Sequence, residues 1–248
     1  PTLAPYAKEG ECELRITAHA PNKEAAHALI APVEADIRAL FGPLVYGADV
    51  KNLESAVLQL LKDKGLTFGT AESCTGGLIA KRITDLPGAS SVLRGGVVSY
   101  TDAVKHGVLG VPQDLLDRYG AVSTQVAQAM AQGARRVLGC DLAVSTTGVA
   151  GPDRDDRGNP VGLVYVALAG PDFCYVKELR LGASGRGGTR TRPPHHAFDL
   201  ARRYPPGLLL EKNRKVRPLE RTDLFYGLQF SSTAVPRASR CRTVTRRS

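Results

Sequence analysis

Strand-like and helix-like segments alternate along the middle of the chain, and this alternation constrains the fold more than any other feature. Residues 52–64 have the apolar spacing of a helix, and residues 66–71 form a short apolar run typical of a buried strand. Further strands are predicted at 95–100 and 141–148, with helices predicted at 75–84 and, after a Ser123 cap, up to Leu138. Such alternation predicts a layered α/β fold.

Two apolar segments, 161–170 and 173–181, follow the third strand with only two residues between them, which predicts a hairpin. Parallel strands that end in a hairpin make a mixed sheet. We therefore predict a three-layer α/β/α domain over residues 51–183.

The first 50 residues predict a small α/β domain of their own. Residues 11–19 alternate apolar and polar side chains as a strand does, and Asn22 can cap a helix that follows. Pro32 is expected to interrupt or restart this helix, because a proline removes one helical hydrogen bond. Gly42 and Pro43 are expected to end it. The segment has no GxxG loop of the kind that clamps RNA in KH modules, so RNA binding is not predicted there.

The net charge of +9 is concentrated at the carboxyl end. Residues 1–183 carry 18 Lys/Arg against 20 Asp/Glu, whereas residues 184–248 carry 15 against 4. The last segment is rich in Gly, Arg and Pro without periodicity, apart from a short helical pattern at 198–204. We predict an atypical basic tail over 184–248, disordered beyond about residue 205. Nucleic-acid binding is not expected except through this tail.

Cysteine and histidine spacing gives no sign of a metal or a disulfide framework. The five cysteines are widely spread with no CxxC pair, which fits a reducing cytoplasm. His195 and His196 are adjacent and lack acidic or cysteine neighbours at ligand spacing, so we expect them at the surface. No apolar run is long enough to span a membrane.

The segment AESCTGG, 71–77, joins a predicted strand to a predicted helix. Such a junction can expose a side chain beside backbone N–H groups that could stabilise an oxyanion. Ser73 is therefore a candidate nucleophile, and an equally good interpretation of the segment alone is that Ser73 or Thr75 caps the helix.

A serine hydroxyl needs a base, and no histidine is an obvious partner. Lys105 lies shortly after the strand that ends at Tyr100, and a desolvated lysine can accept a proton near neutral pH. Most lysines are simply exposed on helices, and Tyr100 could be an aromatic of the core or of its rim. The loop STTGVAGPD, 145–153, also follows a strand and could contact a ligand, or it could be an ordinary connection.

Several motifs in order resemble the CinA C-terminal domain family, which includes nicotinamide-nucleotide amidase. They are AESCTGG, GGVVSYTDAVKHGVLGV, GAVS, STTGVAGPD and PVGLVYVAL, and they cover about residues 52–181. The preceding segments APYAKEGE, LRITAHA and VYG resemble the KH-like linking domain of full-length CinA proteins. By this resemblance, a domain similar to molybdopterin-binding proteins would precede residue 1 in a full-length relative.

The resemblance implies hydrolysis of the carboxamide of nicotinamide mononucleotide to nicotinate mononucleotide and ammonia, in pyridine nucleotide salvage. It implies catalytic roles for Ser73, Tyr100 and Lys105, and no metal or cofactor. Substrate-binding roles are expected for Glu72, Thr75, Gly76, Gly77, Thr147 and Gly148. A cytoplasmic homodimer is expected. The family also places an arginine near the substrate after the last strand, where this chain departs from the pattern and offers Arg186, Arg190 and Arg192.

Two other functions stay open at this point. One is a non-enzymatic role in DNA uptake or repair, which would depend on the basic tail. DNA binding of that kind should weaken steeply with salt. The other is a domain that keeps the amidase fold without the activity.

Overall fold

The structure is a computed structural model that describes residues 1–182, 184–204 and 228–236, the last of these by backbone alone. The described residues divide into two compact units, 1–50 with 228–236, and 51–182 with 184–204. In chain order the helices and strands are β1 (Thr2–Lys8), β2 (Glu11–Ala20), α1 (Lys23–Phe41), β3 (Val45–Ala48), α2 (Leu53–Asp63), β4 (Phe68–Glu72), α3 (Leu78–Thr84), β5 (Leu93–Val98), α4 (Asp102–Gly107), α5 (Gln113–Tyr119), α6 (Thr124–Leu138), β6 (Leu142–Gly148), β7 (Leu163–Ala169), β8 (Cys174–Arg180), α7 (Gly185–Thr191), α8 (Pro193–Arg203) and β9 (Leu228–Pro236).

The first unit is a four-stranded sheet in the order β1-β2-β9-β3, with α1 packed against it. Ile16 of β2 and Ile30 and Ile37 of α1 belong to its buried core. The prediction missed β1, whose Pro5 lowers its strand propensity. A proline is tolerated there because β1 lies at the edge of the sheet.

Helix α1 begins after Asn22, whose side chain accepts a hydrogen bond from the Ala25 N–H at 2.8 Å, and it ends at Gly42 as predicted. The expected break at Pro32 was wrong, because the helix continues through this residue. Pro32 is exposed, and so is Ala28, whose carbonyl would otherwise receive the missing hydrogen bond. Water can satisfy that carbonyl, which lowers the cost of the proline.

Strand β9 is a second difference from the prediction, which found no element beyond residue 204. It lies between β2 and β3 and runs parallel to both. Its partners are about 180 residues away in β3 and 216 residues away in β2, so no local pattern could reveal the pairing. Residues 205–227 and 237–248 lie outside the described residues, and disorder there stays a prediction.

The second unit confirms the predicted α/β fold with a mixed sheet. Its five strands have the order β5-β4-β6-β7-β8. Strand β4 pairs in parallel with β5 and β6, whereas β6, β7 and β8 pair antiparallel, which includes the predicted hairpin. Helix α6 contacts the sheet from one side, while α3 and α8 contact it from the other with α2 packed on them. The Ser123 hydroxyl accepts from the Val126 N–H, which confirms the predicted cap of α6.

Helices α7 and α8 lie in the segment that was expected to be a basic tail. Helix α8 is buried along its whole length and begins at Pro193, a position where proline needs no hydrogen bond. Its two buried arginines, Arg202 and Arg203, both pair with Asp199. Local sequence revealed only the second half of α8, because the Gly/Arg/Pro-rich stretch before it has no helical period.

Candidate active site

The parallel strands β4, β5 and β6 end at the same edge of the sheet, and the candidate site lies there. Ser73 follows β4, Tyr100 follows β5, and Thr147 and Gly148 close β6. These residues line one cavity of about 210 Å³. The full lining is Ser73, Cys74, Tyr100, Asp102, Lys105, Ala121, Val122, Thr147, Gly148, Ala150 and Arg186. The structure thus brings together the three predicted catalytic residues.

The turn that carries Ser73 is held from inside by Glu72, which has no exposed surface. Its carboxylate accepts hydrogen bonds from the N–H groups of Ile79 and Ala80, at 3.0 and 2.9 Å, and so satisfies the first turn of α3. It also accepts from the Thr75 hydroxyl at 2.7 Å, and that hydroxyl lies 2.7 Å from the Thr146 hydroxyl. Glu72 and Thr75 were expected to bind substrate; the structure buries both and uses their side chains to fix the turn.

Gly76 and Gly77 shape the same turn. Their φ angles are +63° and +93°, a region that favours glycine. Neither is among the residues that line the cavity. The Gly76 N–H donates to the Ser73 carbonyl at 3.1 Å, so this group is already committed. An oxyanion site at the backbone N–H groups near residues 75–77, with the Gly76 N–H already bonded, stays a prediction.

Cys74 lines the cavity next to Ser73 and is the other possible nucleophile. Burial raises the pKa of its thiol to about 12. A thiol must lose its proton to become a strong nucleophile, so Cys74 stays unreactive near neutral pH. Ser73 is 8% exposed, and its N–H donates to the Thr146 carbonyl at 2.9 Å, which fixes its backbone against β6. The arrangement therefore favours Ser73.

Lys105 is only 2% exposed, although it lies on the short exposed helix α4. Among the described residues, its amine donates to the Tyr100 carbonyl at 3.5 Å and to the Asp102 carboxylate at 3.2 Å. Within the described residues, the Lys105 amine forms no direct hydrogen bond with the Ser73 hydroxyl or with the Tyr100 hydroxyl. The expected proton transfer from Ser73 to Lys105 therefore has no direct hydrogen bond between the two side chains, although both residues line the same cavity.

The Tyr100 hydroxyl faces Arg186, whose guanidinium donates to it at 3.3 Å and to the Gly151 carbonyl at 2.8 Å. Arg190 instead donates to the Cys74 carbonyl at 3.3 Å. Of the three candidate arginines, Arg186 is the one that lines the cavity. This contact places a positive charge at the cavity beside an aromatic ring that is 60% exposed.

Thr147 and Gly148 fix the far wall of the cavity. The Thr147 hydroxyl donates to the Ala121 carbonyl at 2.7 Å, which holds the segment before α6 against the end of β6. A Cβ atom at Gly148 would lie 2.7 Å from the Leu163 carbonyl oxygen. Glycine is therefore required there by close packing against β7, whatever its role toward a ligand.

The histidine pair was expected at the surface, and this was wrong. His195 and His196 are buried on α8, at 6% and 4% exposure. Burial lowers the pKa of His195 to about 3 and lowers the pKa of His196 well below its usual value. Within the described ranges, no group of three or more His, Cys, Asp or Glu side chains could hold a metal ion. In the same ranges, no helix is long and apolar enough to cross a membrane.

Sequence reasoning did not assign a role to Asp102. The signal was present, because Asp102 and Lys105 are three residues apart on a helix and such pairs face each other. Arg186 was one of three arginines that the sequence could not separate. Its selection depends on the position of α7, which local pattern did not predict.

Two family models match the chain. One, the CinA C-terminal domain, matches residues 50–204, and the other, the damage-inducible protein CinA KH domain, matches residues 1–47. A CinA-like protein of Gloeobacter violaceus is 50% identical over 204 residues, covering 82% of this chain and 48% of that protein. A CinA-like protein of Desulfovibrio desulfuricans is 46% identical over 213 residues, covering 85% and 50%. The chain thus spans about half the length of the curated relatives it matches.

Solved structures agree with these matches. The competence/damage inducible protein CihA from Agrobacterium tumefaciens has a TM-score of 0.58 and 38% identity, covering 60% of this chain and 90% of that one. The competence damage-inducible protein A from Klebsiella pneumoniae has a TM-score of 0.60 and 28% identity, covering 62% and 96%. The names of these relatives refer to competence and damage induction and specify no reaction.

Proposed function

The chain belongs to the CinA C-terminal domain family, and from that premise we propose that it is a serine amidase acting on nicotinamide mononucleotide. The reaction is hydrolysis of the ring carboxamide, which gives nicotinate mononucleotide and ammonia and would serve pyridine nucleotide salvage. The observation that carries the proposal is the meeting of Ser73, Tyr100, Lys105 and Arg186 at one cavity.

The cavity is of a suitable size for the reacting end of this substrate. Its volume is about 210 Å³. That accommodates one aromatic ring with its carboxamide and leaves the ribose phosphate at the mouth. Arg186 lines the cavity and presents a fork of N–H donors, the geometry that phosphate groups favour.

In the proposed first step, the Ser73 oxygen attacks the carboxamide carbon while its proton passes to the neutral Lys105 amine. The C–N bond then breaks, and ammonia leaves with a proton returned by Lys105. A nicotinate ester on Ser73 remains, and water attacks it with Lys105 again as the base. Such general base assistance contributes about 10²–10⁴-fold to the rate.

The Lys105 amine must shift from its present partners, or work through one water molecule, to take this proton. Hydrogen bonds between catalytic groups are often long before substrate binds, so the observed geometry is compatible with the role. Tyr100 lines the cavity, accepts a hydrogen bond from Arg186, and would bound the ring on its exposed side. The expected homodimer and cytoplasmic location stay predictions.

The proposal is tested by incubating the purified chain with nicotinamide mononucleotide and quantifying ammonia, nicotinate mononucleotide and free nicotinamide. We expect ammonia and nicotinate mononucleotide in equal amounts. Free nicotinamide without ammonia would mean cleavage of the glycosidic bond, and it would overturn the amidase assignment. A chain that releases neither product would refute the activity.

A further inference from the structure

Asp102 borders two cavities. The first is the candidate active site. The second has a volume of about 460 Å³ and shares Asp102, Ala121 and Val122 with the first. We call it the acidic cavity; its full lining is Asp102, Leu116, Asp117, Gly120, Ala121, Val122, Asp155, Asp156 and Arg157. Four of these side chains are carboxylates and one is cationic.

Arg157 is the one cationic side chain among the residues that line the acidic cavity, and backbone carbonyls hold it in place. The Arg157 guanidinium donates to the carbonyls of Arg118, Leu116 and Asp117. The Asp155 carboxylate is also occupied, since it accepts from the N–H groups of Arg157 and Asn159 and from the Asn159 amide. The region beyond Asp102 is therefore electrostatically unfavourable for a phosphate, which is expected to point the other way, toward Arg186.

Asp102 is exposed to solvent and also forms an ion pair. Its side chain is 56% exposed, yet one of its oxygens lies 3.2 Å from the buried Lys105 amine. The pair is balanced while Lys105 carries a proton. If Lys105 is to act as a base, it must be neutral, and Asp102 then lacks its partner inside a cavity. A positively charged substrate group beside Asp102 would restore the balance.

The oxidised nicotinamide ring of a mononucleotide carries such a charge. We propose that Asp102 is the specificity residue for a cationic ring, pairing with the Lys105 ammonium in the empty site and with the ring when the site is filled. This inference rests on the proposed function. One carboxylate then pairs with one cation before and after binding.

The other polar groups that line the cavity near Lys105 do not supply a negative charge for the cationic ring. Arg186 is cationic, and the Tyr100 hydroxyl accepts from it. The Cys74 thiol stays protonated, because burial raises its pKa to about 12. Among the residues that line the active-site cavity, Asp102 is the single carboxylate.

The test compares two ligands that share the carboxamide, ribose and phosphate. Nicotinamide mononucleotide has a cationic ring, and its 1,4-dihydro form has a neutral one. Binding of both is measured by calorimetry at low temperature with wild-type protein, Asp102→Asn and a control, Asp114→Asn, which removes an exposed charge on α5 outside both cavities.

We expect Asp102→Asn to weaken binding of the cationic ring about fivefold, the upper range for a partly exposed ion pair. Binding of the neutral ring should change less than about twofold, because that ring never pairs with a carboxylate. Asp114→Asn should match the wild type with both ligands.

Equal weakening of both ligands would mean that Asp102 only maintains the shape of the site, and it would overturn the inference. Unchanged binding of both ligands would overturn it too. Asp102→Asn could weaken binding of the cationic ring alone while the wild type releases no ammonia. That result would support the inference and refute the amidase. Ammonia release by the wild type, with equal effects of Asp102→Asn on binding of the two ligands, would support the amidase and refute the inference.

Discussion

Lys105 is the residue on which the proposed chemistry depends most, because its amine is buried and held by a carboxylate. A buried lysine beside Asp102 and a carbonyl is also a good structural anchor for α4. The two roles differ in one respect: an anchor needs the positive charge, whereas a base needs to lose it. Substitution by arginine separates them.

Lys105→Arg should lower the rate of ammonia release by about 10²–10⁴-fold, because arginine keeps its proton near neutral pH and cannot act as a base. Lys105→Ala should be comparably poor. Lys81→Arg is the matched control, since Lys81 is 64% exposed on α3 and, among the described residues, forms its ion pair with Asp85 just after that helix. Thermal unfolding verifies that each variant is folded. An active, folded Lys105→Arg protein would make Lys105 a positioning charge.

At the scale of single elements, the short helix α3 depends on a carboxylate from the preceding strand. Glu72 accepts from two N–H groups of the first turn of α3 and from the Thr75 hydroxyl, and these bonds hold the turn that carries Ser73. The glutamate is wholly buried, so no water can replace these bonds.

Glu72→Gln should lower the free energy of unfolding by about 1.5–3 kcal/mol, because an amide nitrogen replaces an oxygen that accepts from an N–H or hydroxyl group. Urea denaturation of the second unit measures this. Asp172→Asn, at the exposed β7–β8 turn, removes one charge without a buried partner and should change stability by less than about 0.5 kcal/mol. A Glu72→Gln protein as stable as wild type would show that the carboxylate does not hold α3.

Helix α8 gives the second unit a dependence on pH. Burial, then the charge of Arg82, lowers the pKa of His195 to about 3, and burial lowers the pKa of His196 as well. Below the ordinary histidine pKa of about 6.5, the unfolded chain gains protons that the folded chain does not bind. Stability is therefore full above about pH 6.5 and falls as the pH drops toward 3.

The decrease should be at most about 1.4 kcal/mol per pH unit for each histidine. Urea denaturation between pH 7.5 and 5.5 should show it in wild type. His195→Gln with His196→Gln should flatten the slope, although it lowers stability at pH 7.5 by disturbing a buried helix. His27→Gln, on the exposed side of α1, should leave the slope unchanged. An unchanged slope in the double variant would contradict buried, neutral histidines.

On the scale of the whole molecule, the residues that line the active-site cavity all belong to the second unit. The first unit has its own core, in which Ile16 is 1% exposed. Ile16→Ala should lower the stability of that unit by about 2–5 kcal/mol. Ammonia release at 25 °C should change less than twofold. Leu3→Ala, at a position 49% exposed on β1, is the control for stability. A large loss of activity in Ile16→Ala would show that the reaction needs the first unit.

Local signals in the sequence were enough to predict much of this architecture. Ser123 and Gly42 mark the ends of α6 and α1, and the apolar runs of β4 to β8 gave the mixed sheet. The same strands placed Ser73, Tyr100 and Thr147 at one edge, because parallel strand ends meet. Sequence could not show which way Glu72 points, since β4 is buried on both faces and lacks alternation. It also could not show β9 or the contact of Arg186 with Tyr100, which depend on residues far apart in the chain.

Ammonia release from nicotinamide mononucleotide by three proteins tests the central claim most directly. Wild type should release ammonia, and Ser90→Ala, at an exposed serine outside the cavity, should match it. Ser73→Ala should lose at least about 10³-fold while unfolding at the same temperature as wild type, because the attacking oxygen is gone and Cys74 cannot replace it. Release from a folded Ser73→Ala protein at a rate close to that of Ser90→Ala would contradict the account.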